Sequence, residues 1–146
     1  KMNLRVIDLA RPLPMVGKLR SVASAAQLLL EGNTAILGVG EGQVEGVITE
    51  RDIVRRVVAK KLDPATTVLS SVMTHPVVKM PADASVAEAA LTMSRLAIRH
   101  VVLEGGGPAQ FVSSTNVTEA LQMVLSRAYA MGVDEGGKAK GPKKKY

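Results

Sequence analysis

The chain repeats itself once, and this repeat limits the folds open to it more than any other feature. When the sequence is shifted along itself without gaps, Pro12 falls on Pro76, an offset of 64 residues (76 − 12). Further matches at this offset are Ser21 on Ser85, Val22 on Val86, Ala25 on Ala89, Ala26 on Ala90, Gly42 on Gly106, Thr49 on Ser113 and Asp52 on Asn116. One offset that holds through both halves predicts two copies of one structural unit, each about 60 residues long.

Each copy shows the same order of local patterns. An extended segment containing proline comes first ("RPLPMV" and "THPVVKM"), and a helix with a serine N-cap follows ("SVASAAQLLLEG" and "SVAEAALTMSRLA"). Two apolar β-runs then flank a glycine turn, and a second helix closes the copy ("ERDIVRRVVAKK" and "TNVTEALQMVLSRAYAM"). The sequence therefore predicts an α+β fold of two β-α-β-β-α units, at residues 6–62 and 63–132. Since so small a unit buries too little surface alone, we expect the two to pack sheet to sheet.

The positive charge of the chain is concentrated at its C-terminal end. Five lysines follow the last acid, Glu135, and they are Lys138, Lys140, Lys143, Lys144 and Lys145. The whole chain carries a formal charge of +6, so residues 1–137 carry only +1 (6 − 5). A Gly/Lys/Pro segment cannot bury apolar surface, and we predict that residues 133–146 form a disordered tail. Such a tail is either a simple solvated end or a binding segment for nucleic acid or an acidic partner.

Composition argues against several classes of protein. Cysteine is absent, which excludes disulfides, thiolate nucleophiles and zinc sites with cysteine ligands. No apolar run approaches the roughly 20 residues of a membrane span, and no segment has the pattern of a secretory signal, so we expect a cytoplasmic protein without membrane contact. His75 and His100 have no obvious third metal ligand, and we expect no metal site. Neither a Ser/His/Asp order nor paired carboxylates indicate catalysis, and we expect no enzyme.

The stretch "GVITERDI" places two polar side chains at the start of a predicted helix. Thr49 and Asp52 have the Thr-x-x-Asp spacing, which is close to that of a capping box. In a capping box the threonine oxygen accepts backbone N–H groups and the acid reaches back to the N-cap. The same two side chains are also suited to hold a hydroxyl-rich ligand. The pattern alone leaves both roles open, and the two are compatible.

Four stretches taken together carry a family resemblance: "GVITERDIV", "VMTHPVVKM", "SVAEAALTM" and "IRHVVL". In this order they resemble a tandem pair of cystathionine-β-synthase (CBS) domains, also called a Bateman module, over about residues 6–130. The resemblance implies units related by a pseudo-twofold axis and a regulatory module that binds AMP, ADP, ATP, S-adenosylmethionine or NAD. With no room for an attached catalytic domain, the chain is similar to the stand-alone type, which commonly forms dimers.

The resemblance also implies which residues bind the ligand. It assigns Thr49 to phosphate contact, Asp52 to the ribose hydroxyls and Arg99 to the phosphate. The complete predicted cleft comprises Thr49, Arg51, Asp52, Thr74, His75, Pro76, Val77, Ile98, Arg99 and His100. Arginine makes charge-assisted, bidentate bonds to phosphate, which fits the assigned role. AMP is the ligand that this set favours, with ADP or ATP next.

A second, weaker cleft is implied on the other side of the pseudo-twofold axis. Its predicted residues are Met15, Thr34, Ala35, Ser113, Ser114 and Asn116. Asn116 stands where the first copy has the carboxylate of Asp52, and it offers one acceptor and a donor in place of two acceptors. Ala35 falls at the offset position of Arg99, so the basic residue is missing as well. We therefore expect one good nucleotide site and one poor site in each chain.

Three functions follow from these features. The first is a homodimeric regulatory module that senses an adenosine nucleotide for a partner protein that the sequence does not identify. The second is a dimeric adaptor whose basic tail binds nucleic acid, and such binding would fall steeply with salt concentration. The third is a structural pair of units whose clefts stay empty.

Overall fold

The computed structural model describes residues 4–136. The strands are β1 (Arg11–Pro12), β2 (Met15–Val16), β3 (Ile36–Val39), β4 (Gly46–Thr49), β5 (Lys79–Met80), β6 (His100–Leu103) and β7 (Gln110–Ser113). The helices are α1 (Val22–Gly32), α2 (Glu50–Ile53, continued by a π-helical segment Val54–Val58), α3 (Val86–Leu96) and α4 (Ser114–Gly136), with short 3-10 turns at Val6–Leu9 and Leu69–Ser71. Within residues 4–136, no helix combines the length and apolar character that crossing a membrane requires.

The helices α1 and α3 confirm the repeat at residue level. Each begins and ends at the offset of 64 residues, and each has a serine N-cap whose hydroxyl oxygen accepts a backbone N–H. Ser21 accepts from Ser24 at 3.1 Å, and Ser85 accepts from Glu88 at 3.0 Å. Both helices also end at a residue in the left-handed region, Asn33 in one and Ala97 in the other. The first helix therefore has the same bounds in both copies and is capped by the same hydrogen bond.

The strand pairs follow the same offset and form two sheets, with the orders β2-β3-β4 and β1-β7-β6-β5. Met15 pairs with Gly38 in the first sheet as Lys79 pairs with Val102 in the second. The predicted first strand, however, is divided into β1 and β2, and β1 pairs with β7 of the other unit. Pro14 lies at the break, where its lack of an N–H prevents a continuous ladder.

Each unit contributes a backbone segment that forms hydrogen bonds with the sheet of the other unit. In the second copy, the N–H of Thr74 donates to the carbonyl of Val47 at 2.8 Å, and the N–H of Val47 donates back to Thr74 at 3.0 Å. Each proline-containing segment therefore bonds to the last strand of the other unit, Arg11 and Pro12 to β7 and Thr74 to β4. This exchange holds the two units together through backbone hydrogen bonds as well as side-chain packing.

A core between the two sheets confirms the predicted sheet-to-sheet packing. It contains Leu13, Ile36, Val102 and Phe111, which are between 0% and 7% exposed. Separate apolar cores lie between each sheet and its helices. Complete burial of a side chain such as Ile36 contributes roughly 1.5–3 kcal/mol to stability.

The second helix of each unit differs from the predicted bounds. In the first unit the α-helical turn of α2 continues as a π-helical segment to Val58, and Lys61 in the left-handed region ends the helical path. In the second unit α4 runs to Gly136, which is four residues into the stretch whose composition predicts a disordered tail. Residues 137–146, including all five of the terminal lysines, lie outside the described residues.

Candidate functional site

A cleft of about 650 Å³ lies between the two units. The end of β4 and the helix α2 form one wall, and the residues before β6 form the other. Its lining residues are Ala35, Ile36, Val47, Thr49, Glu50, Arg51, Asp52, Arg55, Arg56, Thr74, Pro76, Val77, Val78, Ala97, Ile98, Arg99, His100 and Val102. All residues predicted for the first cleft therefore line it, apart from His75, which is exposed and lies outside the lining.

Thr49 and Asp52 form a capping box at the start of α2. The N–H of Thr49 donates to Oδ2 of Asp52 at 2.9 Å, and the N–H of Asp52 donates to the Thr49 hydroxyl oxygen at 3.4 Å. The Thr49 hydroxyl also donates to Oδ2 at 3.1 Å. The capping role that the sequence left open is therefore present, and it fixes the carboxylate at the mouth of the cleft.

The other oxygen of Asp52 contacts the segment that leads into β5 of the second unit. Thr74 donates its hydroxyl to Oδ1 at 2.8 Å, and Nε of Arg56 lies 3.8 Å away. An ionised carboxylate has about four acceptor positions, and the two threonines occupy three of them. One position on Oδ1 is left for a ligand hydroxyl, and the Thr74 oxygen beside it can accept another. Asp52 is itself 8% exposed, so this acceptor is held in a nearly dry environment.

Arg56 was not among the predicted site residues, although a local signal for it exists. It lies four residues after Asp52, the spacing at which helical side chains become neighbours. Its Nη1 also donates to the carbonyls of Val72 at 3.2 Å and Met73 at 2.8 Å. Arg56 thus ties the segment between the units to the acidic residue of the site.

Arginine dominates the charge of the cleft. Arg51 and Arg99, both predicted, line it together with Arg55 and Arg56, while the only carboxylates in the lining are those of Glu50 and Asp52. The lining therefore carries a formal excess of two positive charges. An anionic ligand is favoured at such a site because it reduces the repulsion among the arginines.

His100, one of the predicted residues of the cleft, does not add a second cation beside Arg99. Burial lowers the pKa of His100 below its usual value of 6.5, and the charge of Arg99 lowers that pKa further. The ring is therefore neutral at pH 7, and it packs against Phe111 with the ring centroids 5.8 Å apart. The His100 ring therefore forms an aromatic part of the lining, with one N–H donor and one acceptor nitrogen. The cation next to it is Arg99, which directly precedes β6.

The lowered pKa of His100 predicts a loss of stability in mild acid. Between the folded-state pKa and 6.5 the unfolded chain binds more protons, so the free energy of unfolding should fall as the pH drops below about 6.5. His100→Gln should reduce this dependence, because glutamine does not titrate. Urea unfolding of both proteins at pH 7.5 and 5.5 measures the effect. An equal loss in parent and variant would contradict the assignment.

The residues predicted for the second cleft are only partly brought together. The Ser113 hydroxyl donates to Oδ1 of Asn116 at 2.8 Å, and the Asn116 N–H donates to the Ser113 oxygen at 3.2 Å, which reproduces the cap of the first copy. Ala10 stands at the offset position of Thr74, so the second hydroxyl is missing. Ala35, which was predicted for the second cleft, is among the lining residues of the first.

The remaining residues of this set have local roles in the fold. The Thr34 hydroxyl donates to the carbonyl of Ile36 at 3.2 Å, the Ser114 N–H donates to the carbonyl of Arg99 at 2.8 Å, and Met15 is 38% exposed beside β3. A further cavity of about 570 Å³ lies between the two glycine-rich turns, and none of the six residues lines it. Residues 4–136 contain no group of three or more potential metal ligands.

Comparison with known proteins identifies the family. The profile of the CBS domain matches residues 6–59 and residues 69–123, one match in each copy. Comparison with curated protein sequences gives no match. A CBS-domain-containing protein from Agrobacterium tumefaciens is 29% identical, with a TM-score of 0.72 over 80% of this chain and 97% of the other.

Two further structures have the same fold. A hexameric CBS-CP12 protein from bloom-forming cyanobacteria is 25% identical, with a TM-score of 0.72 over 80% of this chain and 71% of the other. A CBS domain pair in complex with 5′-methylthioadenosine and S-adenosyl-L-methionine is 22% identical, with a TM-score of 0.72 over 83% of this chain and 98% of the other. The profile matches both copies of the repeat and the fold is like that of these structures, so the chain belongs to the CBS domain family and carries two CBS domains in tandem.

Proposed function

We propose that this chain is a regulatory module that binds an adenosine nucleotide in the cleft between its two CBS domains. The observation that carries the proposal is that one cleft contains both acceptors for sugar hydroxyls and cations for phosphate. Asp52 and Thr74 present acceptors to sugar hydroxyls, and Arg51 and Arg99 supply cations for phosphate. Between them, apolar side chains such as Ile98 offer a surface for a base.

The charge of the cleft supports a phosphate-bearing ligand within the adenosine class. The similar CBS domain pair that was solved in complex with 5′-methylthioadenosine and S-adenosyl-L-methionine supports a ligand of the adenosine class. S-adenosylmethionine carries a sulfonium cation, which the excess of arginine in this cleft disfavours. AMP is the smallest ligand that uses both the acceptors and the cations, and it is the ligand with which the proposal is tested.

A regulatory role fits the chemistry of the cleft better than catalysis. Among the described residues that line it, the hydroxyls of Thr49 and Thr74 both donate to the carboxylate of Asp52, so these polar groups hold an acceptor in place for a ligand. The signal would pass to a partner protein that the structure does not identify. The alternative, binding of nucleic acid through the basic tail, depends on residues 137–146, which lie outside the described part of the chain.

The proposed role of Arg99 is tested by its removal. Arg99→Ala should weaken AMP binding about tenfold or more, since a hydrogen bond to a charged group contributes roughly 1.5–3 kcal/mol. Adenosine should bind the variant nearly as it binds the parent, because it has no phosphate to lose. Calorimetric titration with both ligands gives the two ratios. If adenosine and AMP lose affinity equally, Arg99 does not contact the phosphate.

Exposed apolar side chains on α4 support the predicted homodimer. Met123, Leu125, Tyr129 and Met131 are between 50% and 68% exposed, and Leu125 and Tyr129 lie four residues apart on one face of the helix. Large exposed apolar side chains that are neighbours on a helix are typical of protein contacts. Light scattering at micromolar concentration should give the mass of a dimer, and the mass of a single chain would refute this part of the proposal.

A further inference from the structure

The repeat offers an internal comparison for the arginines of the cleft. At the offset of 64 residues, the first-copy arginines Arg51, Arg55 and Arg56 correspond to Thr115, Glu119 and Ala120 of the second copy, and Arg99 corresponds to Ala35. The second copy nevertheless forms the strands that correspond to β2, β3 and β4, a cap by Ser113 and a longer helix. The fold therefore does not require a cation at any of these four positions, and the arginines need another explanation.

The four arginines differ in what they contact. Arg56 is engaged, through its bonds to the carbonyls of Val72 and Met73 and its proximity to Asp52. The side chains of Arg51, Arg55 and Arg99 are exposed, and none of them has an ion-pair partner among the described residues. Three free guanidinium groups therefore line a single cleft.

This number exceeds what one phosphate group needs. Two guanidinium groups can bracket one phosphate group, and Arg51 and Arg99 supply those two, which leaves Arg55 without a group of the monophosphate to contact. Arg55 comes four residues after Arg51 and lies about one helical turn farther along the same wall. A longer phosphate chain that starts between Arg51 and Arg99 would find its next cation at Arg55.

We propose that Arg55 is a specificity-determining residue that extends the phosphate site, so that the cleft binds a nucleoside di- or triphosphate in preference to the monophosphate. The inference rests on the proposed function, because it assumes that adenosine nucleotides occupy this cleft. The inference goes further than the proposed function because it specifies how many phosphate groups the preferred nucleotide carries. The module would then respond to the proportion of di- and triphosphates among the adenosine nucleotides, in addition to the presence of adenosine.

The test compares a series of ligands on a matched pair of variants. Arg55→Gln removes the guanidinium from the cleft, and Lys60→Gln removes the same charge from the exposed end of the same segment, outside the lining residues. Calorimetric titration of each protein with adenosine, AMP, ADP and ATP, without divalent cations, gives four dissociation constants. Thermal unfolding of each variant shows that it is folded.

The parent and Lys60→Gln are expected to bind ATP and ADP more tightly than AMP. Arg55→Gln should lose about tenfold in affinity for ATP, the lower range for a charge-assisted hydrogen bond, while AMP and adenosine change little. Arg55→Glu, which introduces the residue of the second copy, should lose more. If AMP binds the parent as tightly as ATP does, or if Arg55→Gln weakens both equally, the inference is wrong while the proposed function stands. If no ligand of the series binds the parent, the proposed function fails and the inference fails with it.

Discussion

Replacement of Asp52 by asparagine is expected to lower the affinity for AMP about tenfold to a hundredfold. The carboxylate has one acceptor position left for a ribose hydroxyl, next to the Thr74 oxygen, and asparagine would put an amide donor near that place. A hydrogen bond to a charged acceptor contributes roughly 1.5–3 kcal/mol, which corresponds to this loss of affinity. Calorimetric titration with AMP measures it directly.

The control for this variant is its counterpart in the second copy. Asn116→Ala removes the side chain equivalent to that of Asp52, which accepts from the Ser113 hydroxyl and lies outside the lining of the first cleft, and the AMP affinity of this variant should stay close to that of the parent. Asp52→Asn should also lower the free energy of unfolding by about 1 kcal/mol, because the capping box and the bond from Thr74 are weakened. If Asn116→Ala abolishes binding while Asp52→Asn does not, the ligand sits in the other cleft. If neither matters and no adenosine ligand binds the parent, Asp52 is a cap alone.

Phe111→Ala is expected to lower the free energy of unfolding by about 3–5 kcal/mol, the usual cost of removing a buried aromatic ring. Phe111 is 7% exposed, lies between the two sheets and packs against the His100 ring. Its backbone is also the partner of Arg11 in the strand that crosses between units. The cavity left by the ring would therefore open where both sheets and the crossing strand β1 meet.

Urea unfolding compares this variant with Val47→Ala, the truncation at the equivalent position of the first copy. Val47 is half-buried and smaller, so its truncation should cost clearly less. Because the sheet-to-sheet core also shapes the cleft, Phe111→Ala should weaken AMP binding even where the protein is still folded. Equal costs for the two truncations would show that the core between the sheets is less important than its burial indicates.

Much of the fold could be predicted from the sequence because the repeat preserves local signals. The serine caps, the glycine turns and the alternation of apolar residues occur twice at one spacing, so each copy supports the interpretation of the other. The division of the first strand could not be predicted in this way. Which sheet β1 joins is decided by a pairing with Phe111, about a hundred residues away along the chain, and a local pattern contains no information on such distant partners.

The same distinction applies to the site. Thr49 and Asp52 were identified because a cap is a local motif, and Arg99 because the resemblance assigned it. Arg55 was missed, since an arginine on a helix is usually a solvated surface residue and only the packing of the two units turns it toward a cleft. The neutral state of His100 likewise depends on burial against Phe111, which the sequence does not display.

The exchange of backbone between the two units restricts how a bound ligand can produce a signal. Since β1 belongs to the sheet of the second unit and Thr74 bonds to a strand of the first, the units cannot swing apart about a hinge without breaking backbone hydrogen bonds. A small sliding or rotation of one sheet over the other keeps those bonds intact. A ligand bound between the two units would therefore change the angle between the two sheets. This change would appear as a different angle between the helices that pack on the outer faces of the sheets.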